Sequence, residues 1–91
     1  MTSVEIYTQK YCPYCHWAKE LLTRKGVDFY EIDVTEDRQM REQMAARANG
    51  RSTVPQIFIG GTYVGGCDEL YALEEGGKLD ALLGSGEGQP A

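Results

Sequence analysis

Two cysteines three positions apart, at the junction of a strand-like and a helix-like run, constrain this chain more than any other feature. They lie in Tyr11-Cys12-Pro13-Tyr14-Cys15-His16. Val4-Glu5-Ile6-Tyr7-Thr8 precedes them with β-branched and aromatic residues, and Trp17-Ala18-Lys19-Glu20-Leu21-Leu22 follows with helical patterning. Pro13 suits the first helical position, where its missing N–H leaves nothing unpaired that a helix start does not leave unpaired anyway. Cys12 then stands at the helix N-terminus, against free N–H groups and the positive end of the dipole, a setting that favours the nucleophilic thiolate. Cys15, one turn further and on the same face, is placed to attack a mixed disulfide formed at Cys12. A Cys-x-x-Cys in this setting reads as a redox pair. A zinc site wants four ligands, and no second Cys pair exists. Combining Cys12, Cys15, His16 and Cys67 would ask helix neighbours that point in different directions to converge. His16 is read as covering an exposed helix face.

The rest of the chain falls into short elements. Residues 4–8 predict a strand, and residues 13–25 a helix with Ala18, Leu21 and Leu22 on one face, closed by Gly26. Within 27–34, the alternating run Phe29–Val34 predicts a second strand, parallel to the first because the intervening crossover is right-handed. Thr35 predicts an N-cap, with Glu36 and Asp37 in the first turn of a helix whose apolar stripe is Met40, Met44, Ala45 and Ala48. Asn49-Gly50 stops it. Gln56–Ile59 predicts a third strand, Gly60-Gly61 a tight hairpin, and Tyr63-Val64 the start of an antiparallel fourth. Asp68–Leu73 opens a third helix, stopped by Gly76-Gly77, and residues 78–83 add a short last turn. Residues 84–91 have almost nothing to bury and are expected to be disordered. The order β-α-β-α-β-β-α predicts an α/β domain over residues 1–83: a four-stranded mixed sheet with helices on both faces, a thioredoxin-like arrangement in minimal form.

Bulk composition narrows the function classes. Ninety-one residues make one small core. A net charge of −5 argues against general binding to nucleic acid or anionic membranes. No apolar run spans a bilayer, and the first residues lack the basic and apolar regions of a signal peptide. Three cysteines, an odd number, argue against a secreted disulfide framework. A reducing, cytoplasmic setting is expected, with Cys12 and Cys15 cycling rather than stapling the fold.

Two further stretches have a structural and a functional reading. Thr53-Val54-Pro55 is a loop before a strand. A cis bond between Val54 and Pro55 would turn the Val54 N–H and C=O outward, where an extended thiol peptide pairs like an added strand. Gly65-Gly66-Cys67-Asp68 is a Gly-rich turn with Asp68 as a cap. Its free N–H groups also suit a carboxylate, and Asp68 suits an ammonium group, which together match the amino-acid end of a γ-glutamyl ligand.

In Cys12-Pro13-Tyr14-Cys15, Thr53-Val54-Pro55 and Gly65-Gly66-Cys67-Asp68, taken in order and spacing, the chain resembles the glutaredoxin family, most of all its small bacterial dithiol members. The resemblance runs from about Val4 to about Leu83. It implies a thioredoxin-like fold, a cis Val54–Pro55 bond and glutathione-dependent thiol–disulfide exchange, with Cys12 as nucleophile and Cys15 as resolving thiol. It also implies a glutathione groove lined by Tyr14, Thr53, Val54, Pro55, Gly66, Cys67 and Asp68. Glutathione serves as diffusible reductant, and no metal is expected. Glutathionylated proteins and protein disulfides, with ribonucleotide reductase as a candidate among them, are the expected partners of a monomer. Where the family often carries a lysine three residues before the first cysteine, near the glycine carboxylate of glutathione, this chain has Gln9. Lys10 or Arg51 then becomes the candidate for that contact. Cys67 is expected to be chemically quiet, although a helix start can also lower a thiol pKa. Feeding by a thioredoxin reductase, and iron–sulfur cluster carriage between two chains, rank below this reading.

Overall fold

The computed structural model describes residues 2–84; apart from Gly84, the tail expected to be disordered, residues 84–91, lies outside the described residues. Alternating side chains set the sheet. β1 (Val4–Thr8) sends Val4 and Ile6 into one core and Tyr7 into another, as the two-residue period of a strand requires. It pairs in parallel with β2 (Tyr30–Asp33) and antiparallel with β3 (Gln56–Ile59), which pairs antiparallel with β4 (Thr62–Gly65). The strand order is β2-β1-β3-β4, so the two central strands carry the core and the outer two form its edges.

Helices cover both faces. On one, α1 (Pro13–Arg24), α3 (Cys67–Glu75) and the single-turn α4 (Leu79–Leu82) bring Ala18, Leu21, Leu22, Leu70 and Leu79 against Ile6, Ile57 and Ile59. On the other, α2 (Arg38–Arg47) lays Met44, and Ala48 just beyond its end, against Tyr7 and Phe58. Arg47 fastens this helix to the sheet. Its guanidinium lies 3.9 Å from the Phe58 ring centroid and donates to Tyr7 Oη and Glu5 Oε1, each at 2.8 Å. The α/β architecture is the thioredoxin-like one expected, with α4 as its short last turn.

The differences lie at element ends. Thr35 does not cap α2. Glu36 adopts a left-handed backbone (φ 58°), so the chain turns before a helix can begin. Asp37 caps instead, its Oδ1 accepting from Met40 N–H at 3.0 Å, while Thr35 Oγ1 accepts from Lys10 N–H at 2.8 Å. Nor is Asp68 the cap of α3. That position falls to Gly66, whose N–H donates to Glu69 Oε1 at 2.7 Å, so the helix starts one residue earlier, at Cys67. β2 is shorter than the Phe29–Val34 run by one residue at each end: Phe29 packs against one core just before it, and buried Val34 against the other just after it.

Candidate active site

β1 ends four residues before Cys12, and the connecting loop delivers that cysteine to the start of α1. Cys12 is the N-cap, its Sγ accepting from Cys15 N–H at 3.1 Å. Pro13 occupies the first helical turn, as its chemistry favours. Cys12 and Cys15 are joined as a disulfide, with their Cα atoms 5.2 Å apart. The two differ in access: Cys12 is half-buried, whereas Cys15 is only 2% exposed. An incoming sulfur therefore meets Cys12 first.

The Val54–Pro55 peptide bond is cis. Cys12 Sγ lies 4.0 Å from the Val54 carbonyl oxygen, which sets this loop beside the disulfide. The loop is held from below by a buried network. Gln56, fully buried, donates through Nε2 to Thr53 O at 2.9 Å and to Thr53 Oγ1 at 3.2 Å, and accepts from Tyr63 Oη at 2.6 Å. Glycine is required where β4 passes into α3. A Cβ on Gly66 would stand 3.2 Å from the Pro55 carbonyl oxygen. One on Gly65, whose φ is +120°, would stand 2.9 Å from the Glu69 side chain. Their absence lets the helix start close against the cis-proline loop.

The result is a cleft of about 150 Å³ lined by Tyr14, Thr53, Val54, Pro55, Gly66, Cys67 and Asp68, together with Arg51 and Glu69. Each groove residue expected from the sequence is therefore brought together, with one exception. Lys10 stands outside the cleft. It borders a separate cavity of about 500 Å³ that is itself lined by Cys12 and Cys15, with His16, Lys19 and Glu31. Arg51 does line the cleft, but at the Gly66–Glu69 end: Nη1 donates to Tyr63 Oη at 3.2 Å and lies 3.8 Å from Glu69 Oε2. Gln9 faces away from the cleft contacts and accepts from Arg41 Nη2, while Arg41 Nη1 donates to Ser52 O at 2.7 Å.

Arg41, Gln56 and Glu69 carry no local motif that would mark them as site residues in the sequence. Cys67 is 7% exposed, and burial, reinforced by the negative charges of Asp68 and Glu69, pushes its thiol pKa up. Among the described residues, no three His, Cys, Asp or Glu side chains are grouped to hold a metal ion, and no helix is long and apolar enough to cross a membrane.

Comparison with known proteins gives the family. The glutaredoxin family profile matches residues 4–64. Glutaredoxin of Pseudomonas aeruginosa is 59% identical over 83 residues, covering 91% of this chain and 98% of that protein. The solution structure of glutaredoxin from Brucella melitensis superposes with a TM-score of 0.82 at 57% identity, covering 94% of this chain and 92% of the other. A crystal structure of a buckwheat glutaredoxin–glutathione complex superposes with the same TM-score at 28% identity, over 90% of this chain and 76% of the other. The chain belongs to the glutaredoxin family, and its activity is glutathione-dependent thiol–disulfide exchange.

Proposed function

We propose that Cys12 is the nucleophile of this exchange, Cys15 its resolving thiol, and the Thr53–Asp68 cleft the seat of glutathione. The observation that carries the reading is the placement of Cys12: half-buried at a helix N-cap, its sulfur accepting from the Cys15 N–H and lying 4.0 Å from the carbonyl oxygen of Val54, a residue that lines the cleft. Reduced Cys12 attacks the glutathione sulfur of a mixed disulfide, forming Cys12–S–SG and releasing the protein thiolate. A second glutathione thiolate then attacks that sulfur, giving oxidised glutathione and the Cys12 thiolate. With a protein disulfide, Cys12 forms the mixed disulfide and Cys15 displaces the remaining protein thiolate, closing Cys12–Cys15. Two glutathiones reopen it.

Within the cleft, the cysteinyl backbone of glutathione is assigned to Val54, paired as an added strand. The γ-glutamyl end is assigned to the start of α3, with its carboxylate on the N–H groups of Cys67 and Asp68 and its ammonium beside the Asp68 carboxylate. Arg51, standing at that end, fits the γ-glutamyl carboxylate better than the glycine carboxylate. The proposed setting is cytoplasmic and the proposed state monomeric, with glutathionylated proteins and protein disulfides as substrates. Ribonucleotide reductase is one such disulfide to assay. No resident metal enters any step.

A glutathione-coupled assay tests the assignment. Cys12→Ser should abolish turnover of a small glutathionylated disulfide. Cys15→Ser should retain it and lose reduction of protein disulfides that need the dithiol route. Full activity in Cys12→Ser would overturn the mechanism.

A further inference from the structure

We propose that Arg41 is a positioning residue: one guanidinium, carried on α2, clamps the loop that bears Cys12 to the loop that bears Val54. Its two outer nitrogens reach different loops. Nη2 donates to the side chain of Gln9, three residues before Cys12, and Nη1 donates at 2.7 Å to the main-chain oxygen of Ser52, two residues before Val54. The planar guanidinium holds two acceptors at a fixed angle, so it sets a spacing as well as an attraction. The spacing that matters is the gap across the site, where Cys12 Sγ stands 4.0 Å from the Val54 oxygen.

The Cys12 loop is pinned a second time by Lys10 N–H donating to Thr35 Oγ1 at 2.8 Å, again from the segment leading into α2. α2 thus acts as the frame to which both arms of the site are fastened, although it supplies no side chain to the cleft. The clamp also accounts for glutamine at position 9. A guanidinium facing this position needs a neutral or anionic acceptor, which the Gln9 amide oxygen provides. A lysine there would remove the acceptor and set a second cation against Arg41. Gln9 and Arg41 are therefore a matched pair.

The kinetic arm of the test rests on the functional reading above, so a second arm is independent of glutathione. Amide hydrogen exchange of residues 9–12 and 51–54 is measured in the wild type, Arg41→Ala, Arg41→Lys and Gln9→Ala. Gln9→Ala removes one arm of the clamp without touching α2. Thermal melts confirm folding. Exchange should rise in both loops in both Arg41 variants, and in residues 9–12 for Gln9→Ala.

In the coupled assay, kcat/KM for glutathione should fall by about three- to tenfold in Arg41→Ala, the loss of one or two hydrogen bonds. It should fall nearly as far in Arg41→Lys, which keeps the charge and loses the fork. Gln9→Lys should match Arg41→Ala, and the double variant Gln9→Lys/Arg41→Ala should be no worse than either alone. Unchanged exchange in both loops overturns the clamp whatever the activity. So does rescue by Arg41→Lys with a defect in Arg41→Ala that shrinks at high salt, the mark of a cation contacting ligand directly. If the wild type turns over nothing with glutathione, the functional reading fails while the exchange arm still decides the clamp.

Discussion

At the scale of single residues, the site separates groups that announce themselves from groups that do not. Cys12, Cys15, Pro55, Gly66 and Asp68 each sit in a local pattern with its own chemical reason, and the pattern was visible in the chain. Arg41 acts through partners distant in sequence, Glu69 through a side chain folded back on its own helix start, and Gln56 through a buried side-chain network that joins the Thr53 loop to Tyr63. A buried amide between Thr53 and Tyr63 looks, in one dimension, like any polar residue at a strand start. Position 9 is the sharper case: it reads as a missing lysine until the Arg41 guanidinium is seen facing it. At this scale the Asp68 assignment is the one most open to test. Asp68→Ala should raise the KM for glutathione by roughly ten- to a hundredfold, the effect of about 1.5–3 kcal/mol for a charge-assisted bond desolvated by the ligand. The Cys12 thiol, which lies beside Val54 rather than at the start of α3, should keep its rate of alkylation in the reduced protein. An unmoved KM would reduce Asp68 to a charge that merely complements the α3 dipole.

At the scale of elements, type and order followed from periodicity, and the ends did not. The strands were legible because Val4, Ile6, Ile57 and Ile59 alternate with residues of the opposite face, and α1 because Ala18, Leu21 and Leu22 fall on one stripe. Thr35 and Asp37 are both good caps by composition. What decides between them is the left-handed turn at Glu36 and the demand of Lys10 N–H for the Thr35 hydroxyl, neither of which a local pattern records. The distinction is measurable. Asp37→Ala removes a side-chain acceptor from Met40 N–H and should destabilise the protein by about 1 kcal/mol in chemical denaturation. If Thr35→Ala lowers α2 helicity and Asp37→Ala does not, the cap has been placed two residues too late.

At the scale of the whole molecule, the sheet is tied to its helices partly by charge. Glu31 on β2 accepts from Thr8 Oγ1 at 2.7 Å and from Lys19 Nζ on α1 at 2.9 Å. Burial pushes its carboxyl up, but these two bonds outweigh it and hold it below the usual range. A depressed carboxylate contributes stability that is fully present above its unfolded value and is lost as pH falls through the folded one. The stability gap between wild type and Glu31→Gln should therefore be constant near neutrality and close below about pH 4. It should stay under about 1 kcal/mol, since the pair is partly exposed. A gap that persists at pH 2.5 would mean the pair contributes through packing rather than charge. The same strand bears on behaviour at high concentration. β2 is an edge only four residues long, and Tyr30, Glu31 and Asp33 all face solvent from it. Two carboxylates on so short a border repel a strand arriving from another molecule before its backbone can dock. The sheet is thus insulated against edge-to-edge growth into aggregates by the same carboxylate that ties it to α1.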